Sequence, residues 1–216
     1  METVGLRPIL VHGGGKAISE AMTKAGIEPR FLRGRRYTDD ATLSIVADVL
    51  AREINADIVE RIERLGGWAM GLHHLTTNCL FGERIELSEG GETIDLGRVG
   101  RVTSLDDNRL RKLCAAGIIP VMPSLAMDDE GKLLNVNADT AAAAVAELLK
   151  AEKLIFVSDT PGILSDPRNE ATLLRSLSAD DCRRLIDEGI VSAGMIPKVE
   201  ACLESLRAGE IGRAHV

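Results

Sequence analysis

Apolar and polar positions along this chain follow two periods, and the switches between them mark out the elements. Residues 8–11 form a short β-branched apolar run closed by glycine, the pattern of a buried strand. Residues 16–25 place apolar groups at helical spacing, as does the longer stretch 39–65, with Thr38 as its expected N-cap. Residues 68–72 return to strand, and 75–103, rich in Gly, Thr and Glu, alternate like small antiparallel strands. A helix over 105–116 ends at Gly117, and 118–122 is a second buried strand. The sequence then predicts an extended 131–137, a helix over 138–151 and a strand over 153–159 closed by the turn TPG. Helices at 178–188 and 197–207 follow, and the closing RAHV has the start of a strand.

Strands joined by crossover helices predict an α/β fold with a mainly parallel open sheet covered on both faces. Right-handed crossovers then gather the loops after the strands' carboxyl ends on one edge. With 216 residues the chain can form one large domain or two lobes. Against 26 Lys+Arg stand 33 Asp+Glu, a net charge of −7, which argues against nucleic acid or an anionic membrane as the main partner. No apolar run approaches the roughly 20 residues that span a bilayer, and METVGLRP lacks the pattern of a signal peptide. The four cysteines are scattered without a C-x-x-C pair, as buried free thiols in a reducing compartment would be. The class expected is a soluble, cytoplasmic α/β protein.

Candidate chemistry begins at LVHGGGKAI, residues 10–18, where a strand turns into a helix. Glycine lets backbone approach a ligand, and a helix start offers unsatisfied N–H groups, so the run suits a phosphate cradle or a plain tight turn equally. It is neither a Walker A loop, since Leu10 and Ala17 break that pattern, nor G-x-G-x-x-G, since residue 18 is Ile. LRGRRYTDD sets Arg33, Arg35 and Arg36 before a helix cap, and one guanidinium could clamp a carboxylate. In LLNVNADTAAAA an extended 135–139 would put Asn135, Asn137 and Asp139 on one side. SDTPGIL ends a buried strand with Asp159 and turns at Pro161-Gly162. In SAGMIPKVEACLESL, Pro197 fits the first helical position, which puts the cation of Lys198 in the first turn, against the helix dipole unless a polyphosphate sits there.

Taken together, VHGGGK, RGRRYTDD, DLGRVGRV, NVNADTAA, SDTPGIL and GMIPKVEACLESL resemble, in order and spacing, the acetylglutamate kinases of the amino-acid kinase family. The resemblance covers nearly the whole chain. It implies a three-layer αβα sandwich with a mainly parallel open sheet, an acyl-amino-acid-binding lobe at about 1–150 and an ATP-binding lobe at about 151–216. It also implies phosphorylation of the side-chain carboxylate of N-acetyl-L-glutamate by ATP and Mg²⁺, the metal carried mainly on the nucleotide phosphates, in arginine synthesis. By resemblance, Gly13 and Gly14 match the glycines at the transferring phosphoryl group. Arg36 and Asn135 match substrate-binding residues, Asp139 the aspartate that organises the catalytic lysines, and Lys198 the lysine on the ATP phosphates. Asp159 and Gly162 fall in the nucleotide loop, Lys16 is a bystander, and a homodimer or higher homo-oligomer is expected.

The K-x-G-G element of such kinases does not precede VHGGGK, and the residues end at GRAHV, so the expectation is a fold incomplete at both termini with weak turnover by these residues alone. The alternatives are a sister kinase acting on another amino-acid or carbamoyl substrate and a non-catalytic ligand-binding remnant. A nucleotide-dependent oxidoreductase is weakened by the absent G-x-G-x-x-G.

Overall fold

Each helix expected from 3.6-residue spacing is present within two residues of its expected limits. The structure, a computed structural model, describes residues 5–32, 34–89, 92–157, 162–166, 168–191, 195–207 and 213–215. It divides into two compact units, Met1–Ala142 and Ala143–Val216.

The first unit opens with β1 (Leu10–His12), α1 (Gly15–Lys24) and the antiparallel pair β2 (Phe31–Leu32) and β3 (Arg35–Arg36). A continuous helical stretch follows, made of α2 (Asp40–Asp48), a π-helical segment (Val49–Ile54) and α3 (Asn55–Arg64). Then come β4 (Trp68–Gly71), β5 (Leu80–Glu89), β6 (Glu92–Leu105), α4 (Asp107–Ala115), β7 (Ile118–Pro123), β8 (Leu125–Met127) and β9 (Leu133–Val136). The apolar run IIPVMP of β7 lies at the centre of a parallel sheet of order β1-β7-β4, with Leu10 opposite Val121 and Trp68 opposite Ile118. That position suits a strand apolar on both faces. Ile18 and Met22 of α1 pack on Val46 of α2 and on Val49 and Leu50 of the π segment. Each such side chain contributes about 1.5–3 kcal/mol of burial.

α5 (Ala138–Leu149) runs across the division between units. In the second unit, β10 (Lys153–Ile155) pairs in parallel with β11 (Arg213–His215), and α6 (Ala179–Asp187) and α7 (Ile196–Arg207) supply the core residues Leu185, Val199 and Leu203.

The structure corrects several expectations. Asp39, not Thr38, caps α2: its backbone is extended and its carboxylate accepts the Thr42 N–H at 2.8 Å. Thr38 is instead fully buried. The small strands expected over 75–103 are one long hairpin, β5 with β6, which closes into a four-stranded barrel with β8 and β9. The extended segment stops at Val136. Asn137 then caps α5, its Oδ1 accepting the Thr140 N–H at 3.0 Å, and Asp139 lies in that helix's first turn. α7 begins at Ile196, one residue before Pro197. The four cysteines are free, with Cys79 and Cys202 buried and Cys114 and Cys182 partly so. Among the described residues, no helix is long and apolar enough to cross a membrane.

Candidate active site

The turn between β1 and α1 is built from backbone alone. Gly14 is the N-cap of α1, with no side-chain capping bond and no acidic residue in the first turn. Among the described residues, nothing accepts the amide N–H of Gly13 or Gly14. Neighbours come close at both positions, and at Gly13 the neighbour cannot swing away. A Cβ on Gly13 would lie 2.9 Å from that of Ala138, and one on Gly14 would lie 3.0 Å from Leu50 Cδ2 and closer still to Ile54 Cδ1. The starts of α1 and α5 therefore meet at Gly13, and two helix N-termini bias this place toward an anion.

Arg36 reaches the same turn from β3. Adjacent residues of a strand face opposite ways, and Arg36 is the one turned inward, 8 % exposed. Its Nη2 donates to Ser19 Oγ at 2.8 Å and to the Gly15 carbonyl at 3.1 Å, and its Nη1 lies 3.2 Å from Met22 Sδ. The guanidinium also stacks on the Phe31 ring, 4.7 Å from its centroid. Burial lowers its hold on the proton below the ordinary value, but arginine stays charged at any working pH. Among the described residues, no carboxylate pairs with it.

Asn135, on β9, is tied to Arg36 through Thr38. Its Nδ2 donates to Thr38 Oγ1 at 3.0 Å, and that hydroxyl donates to the Arg36 carbonyl at 2.8 Å. Gly13, Gly14, Arg36, Asn135 and, in the first turn of α5 beside Ala138, Asp139 thus belong to one region of the first unit. This set can hold a small acid by its carboxylate and present bare N–H groups to a phosphoryl group.

Lys198 and Gly162 belong to the second unit. Lys198 lies in the first turn of α7, which has no acidic residue there, and its Nζ stands 5.9 Å from the centroid of the Phe156 ring. Gly162 is buried with φ +124°, backbone that favours glycine. Asp159, Pro161 and Arg33 lie outside the described residues. Among the described residues, no group of three or more His, Cys, Asp or Glu side chains could hold a metal ion.

Residues 1–215 match the model of the amino acid kinase family. The chain belongs to that family. Among the similar proteins is an acetylglutamate kinase of Heliobacterium modesticaldum, 40 % identical over 221 residues that cover 100 % of this chain and 75 % of the relative. One from Halothermothrix orenii is 41 % identical over 216 residues, covering 100 % and 73 %. The crystal structure of smu.665 from Streptococcus mutans UA159 superposes with a TM-score of 0.85 at 27 % identity, over 99 % of this chain and 82 % of that one. The α/β sandwich expected from the strand and helix pattern is therefore the amino-acid kinase fold.

In this amino acid kinase, sequence spacing misread Thr38 and passed over Asn55. Thr38 hides behind its look as a helix cap. Asn55 sits among charged residues of an amphipathic helix, yet is 1 % exposed. His12, at the end of β1, bonds the turn: its Nδ1 lies 3.2 Å from the Gly13 carbonyl and its Nε2 3.0 Å from Asn55 Nδ2. Its pKa is lowered by burial first and by His73 nearby, against a raising effect of the Gly13 bond. No local period marks Asn55, whose partner Gly71 is distant in sequence and leaves room for it: a Cβ on Gly71 would overlap Asn55 Oδ1.

Proposed function

We propose that this amino acid kinase transfers the γ-phosphoryl group of MgATP to the side-chain carboxylate of N-acetyl-L-glutamate, as acetylglutamate kinase of arginine biosynthesis in the cytoplasm. The observation that carries the reading is Arg36, a desolvated cation with no acidic partner among the described residues, bonded to the helix that starts at the bare glycine turn. The relatives named acetylglutamate kinase, about 40 % identical over the whole chain, support the choice of substrate.

In the reaction, a carboxylate oxygen attacks the γ-phosphorus in line, and the bond to the β,γ-bridging oxygen breaks. ADP leaves with the electron pair, and an acyl phosphate forms. Little covalent chemistry falls to the protein; it must bring two anions together and offset the negative charge that spreads over the phosphoryl oxygens. Arg36 holds the carboxylate of the substrate's amino-acid end, with Asn135 beside it. Gly13 and Gly14 turn their N–H groups to the phosphoryl oxygens, and the starts of α1 and α5 add partial positive charge. Lys198 is assigned the ATP phosphates, Asp139 the family's role of organising the catalytic lysines, and Asp159 and Gly162 the nucleotide loop. In this reading, residues 1–150 carry the acyl amino acid and 151–216 the nucleotide. The enzyme acts as a homodimer or higher oligomer, a reading supported by the exposure of Leu65 at the end of α3 and of Trp68 and Met70 on β4, an edge strand of its sheet.

The test is to incubate the chain with MgATP and, in turn, N-acetyl-L-glutamate, L-glutamate and carbamate, trapping acyl phosphate with hydroxylamine. N-acetyl-L-glutamate is expected to give hydroxamate. Arg36→Ala is expected to raise its KM about 10–100-fold, the worth of a hydrogen bond to a charged group, with the KM for ATP little changed. Product from another acceptor and none from N-acetyl-L-glutamate would overturn the assignment.

A further inference from the structure

Asn55 takes no part in the steps above, yet its amide is almost completely enclosed at the junction of the π segment and α3. Its orientation follows from its neighbours. The Val121 carbonyl can only accept a hydrogen bond, so the atom 3.0 Å from it is the amide nitrogen. The second hydrogen of that nitrogen points to His12 Nε2 at 3.0 Å, which must then be the accepting nitrogen. A neutral imidazole that accepts at Nε2 carries its proton on Nδ1, and Nδ1 faces the Gly13 carbonyl at 3.2 Å. The Gly13 carbonyl and the Gly14 N–H belong to one trans peptide and point in opposite directions from its plane axis. Holding the first therefore aims the second.

We propose that His12, kept as its Nδ1–H tautomer by Asn55, is a positioning residue that clamps the Gly13–Gly14 peptide so that the Gly14 N–H faces the phosphoryl group in transfer. The proposal rests on the kinase reading and deepens it. A second proton on the ring would set an N–H at Nε2 against the N–H of Asn55 and break the clamp. Several elements of this neighbourhood bear titratable or charged groups. By sequence these elements carry His73 and His74 after β4, Arg52 and Glu53 on the π segment, Asp57 on α3, Lys16 on α1 and Asp139 on α5, while β7 carries none; of these, His73 acts on the His12 ring. Burial and His73 both favour the neutral ring. Turnover should therefore be complete at neutral pH and fall on acidification only below the range of an ordinary histidine.

Two measurements test the clamp. In ¹⁵N NMR of the labelled protein, the His12 ring is expected to show a protonated Nδ1 and a bare Nε2; the opposite tautomer overturns the proposal without reference to activity. In kinetics, H12L is expected to lower kcat about 10²–10³-fold, the usual loss of one donor at a developing anion, with both KM values within about threefold. H12N, which keeps an amide N–H near the place of Nδ1, should recover kcat to within about tenfold of wild type, and it serves as the decisive variant if H12L does not fold. Asn55→Asp presents an acceptor to Nε2, so the protonated ring would keep its Nδ1–H on the Gly13 carbonyl, and the acid limb that ring protonation gives the kcat profile should be lost. Equal losses in H12L and H12N, a loss confined to KM, or an acid limb retained in Asn55→Asp would each overturn the clamp. A wild-type chain that turns over no acyl amino acid sinks the kinase reading instead, and leaves the tautomer to be judged by NMR.

Discussion

A methyl group added at Gly13 probes the glycine turn where it is tightest. The new Cβ would lie 2.9 Å from the Cβ of Ala138, the first residue of α5. Carbon atoms rest at about 3.5–4.0 Å, so the turn and the start of α5 must separate by roughly 0.6–1 Å. Neither atom is the tip of a side chain that can swing away; one is fixed by the turn and the other by a helix. Overpacking of this kind costs about 1–3 kcal/mol. A shift of that size beside a reacting centre costs about 10²-fold in rate. Gly13→Ala is therefore expected to lose about 1–3 kcal/mol in urea denaturation and about 10²-fold in kcat/KM for N-acetyl-L-glutamate in the trapping assay. Gly15→Ala is the matched comparison, because nothing lies within 4 Å of its Cβ and no left-handed φ is involved. There the methyl group should add up to about 1 kcal/mol by restricting the unfolded chain. If the two variants proved equally stable and equally active, the approach of α5 would not be what demands glycine at 13, and the reasoning would fail.

Three further changes have definite expected outcomes. Gly97 has φ +73° and a Cβ there would run into the Thr38 carbonyl, so Gly97→Ala should cost about 2–5 kcal/mol in chemical denaturation; an unchanged midpoint would mean that β6 can slide off Thr38. The Asp39 carboxyl is held below its ordinary 3.8 by its hydrogen bonds to Thr42. Because the folded value is the depressed one, its contribution is complete above the unfolded pKa and fades as pH falls through the folded one. Asp39→Ala should thus lose about 1 kcal/mol at pH 7 and progressively less below about pH 4, and a gap that stays constant down to the acid limb would refute the cap's role. Trp68 is 69 % exposed on the outer strand β4. If β4 is the contact of the proposed oligomer, Trp68→Glu should convert it to monomer in analytical ultracentrifugation, and an unaltered sedimentation profile would remove β4 from that role.

Much of the fold was legible because helices and buried strands write their periods locally. α1, α4 and α6 each carry one apolar stripe, and β7 is apolar throughout, so their places followed from spacing alone. The barrel of β5, β6, β8 and β9 was not legible as such. Its closure depends on long-range pairing, Phe81 with Met127 and Val99 with Asn135, and no local period encodes which strand a residue will meet. The cap of α2 was misplaced by one residue for a related reason. Thr38 and Asp39 are both good caps in isolation, and the choice was made by distant partners: Leu96 and Arg98 take the backbone of Thr38 and Asn135 takes its hydroxyl.

The site shows the same division more sharply. Three arginines stood in LRGRRYTDD, and composition could not rank Arg35 against Arg36. The β3 pairing does so, because consecutive strand residues point apart, and of these two Arg36 is the one that meets Gly15, Ser19 and Met22 of α1. An isolated charge taken out of water is costly unless hydrogen bonds and a counter-charge offset it. Here protein carbonyl, hydroxyl and thioether groups supply the bonds, and among the described residues no carboxylate supplies the charge. Such an arrangement favours a carboxylate ligand over water at this guanidinium, and its bond to the Gly15 carbonyl ties it to the helix whose first N–H groups are proposed to meet the phosphoryl. In the proposed mechanism, substrate binding and charge stabilisation therefore share one piece of backbone. A variant that loosens Arg36 should impair capture first, whereas one that loosens the Gly13–Gly14 peptide should impair the transfer step.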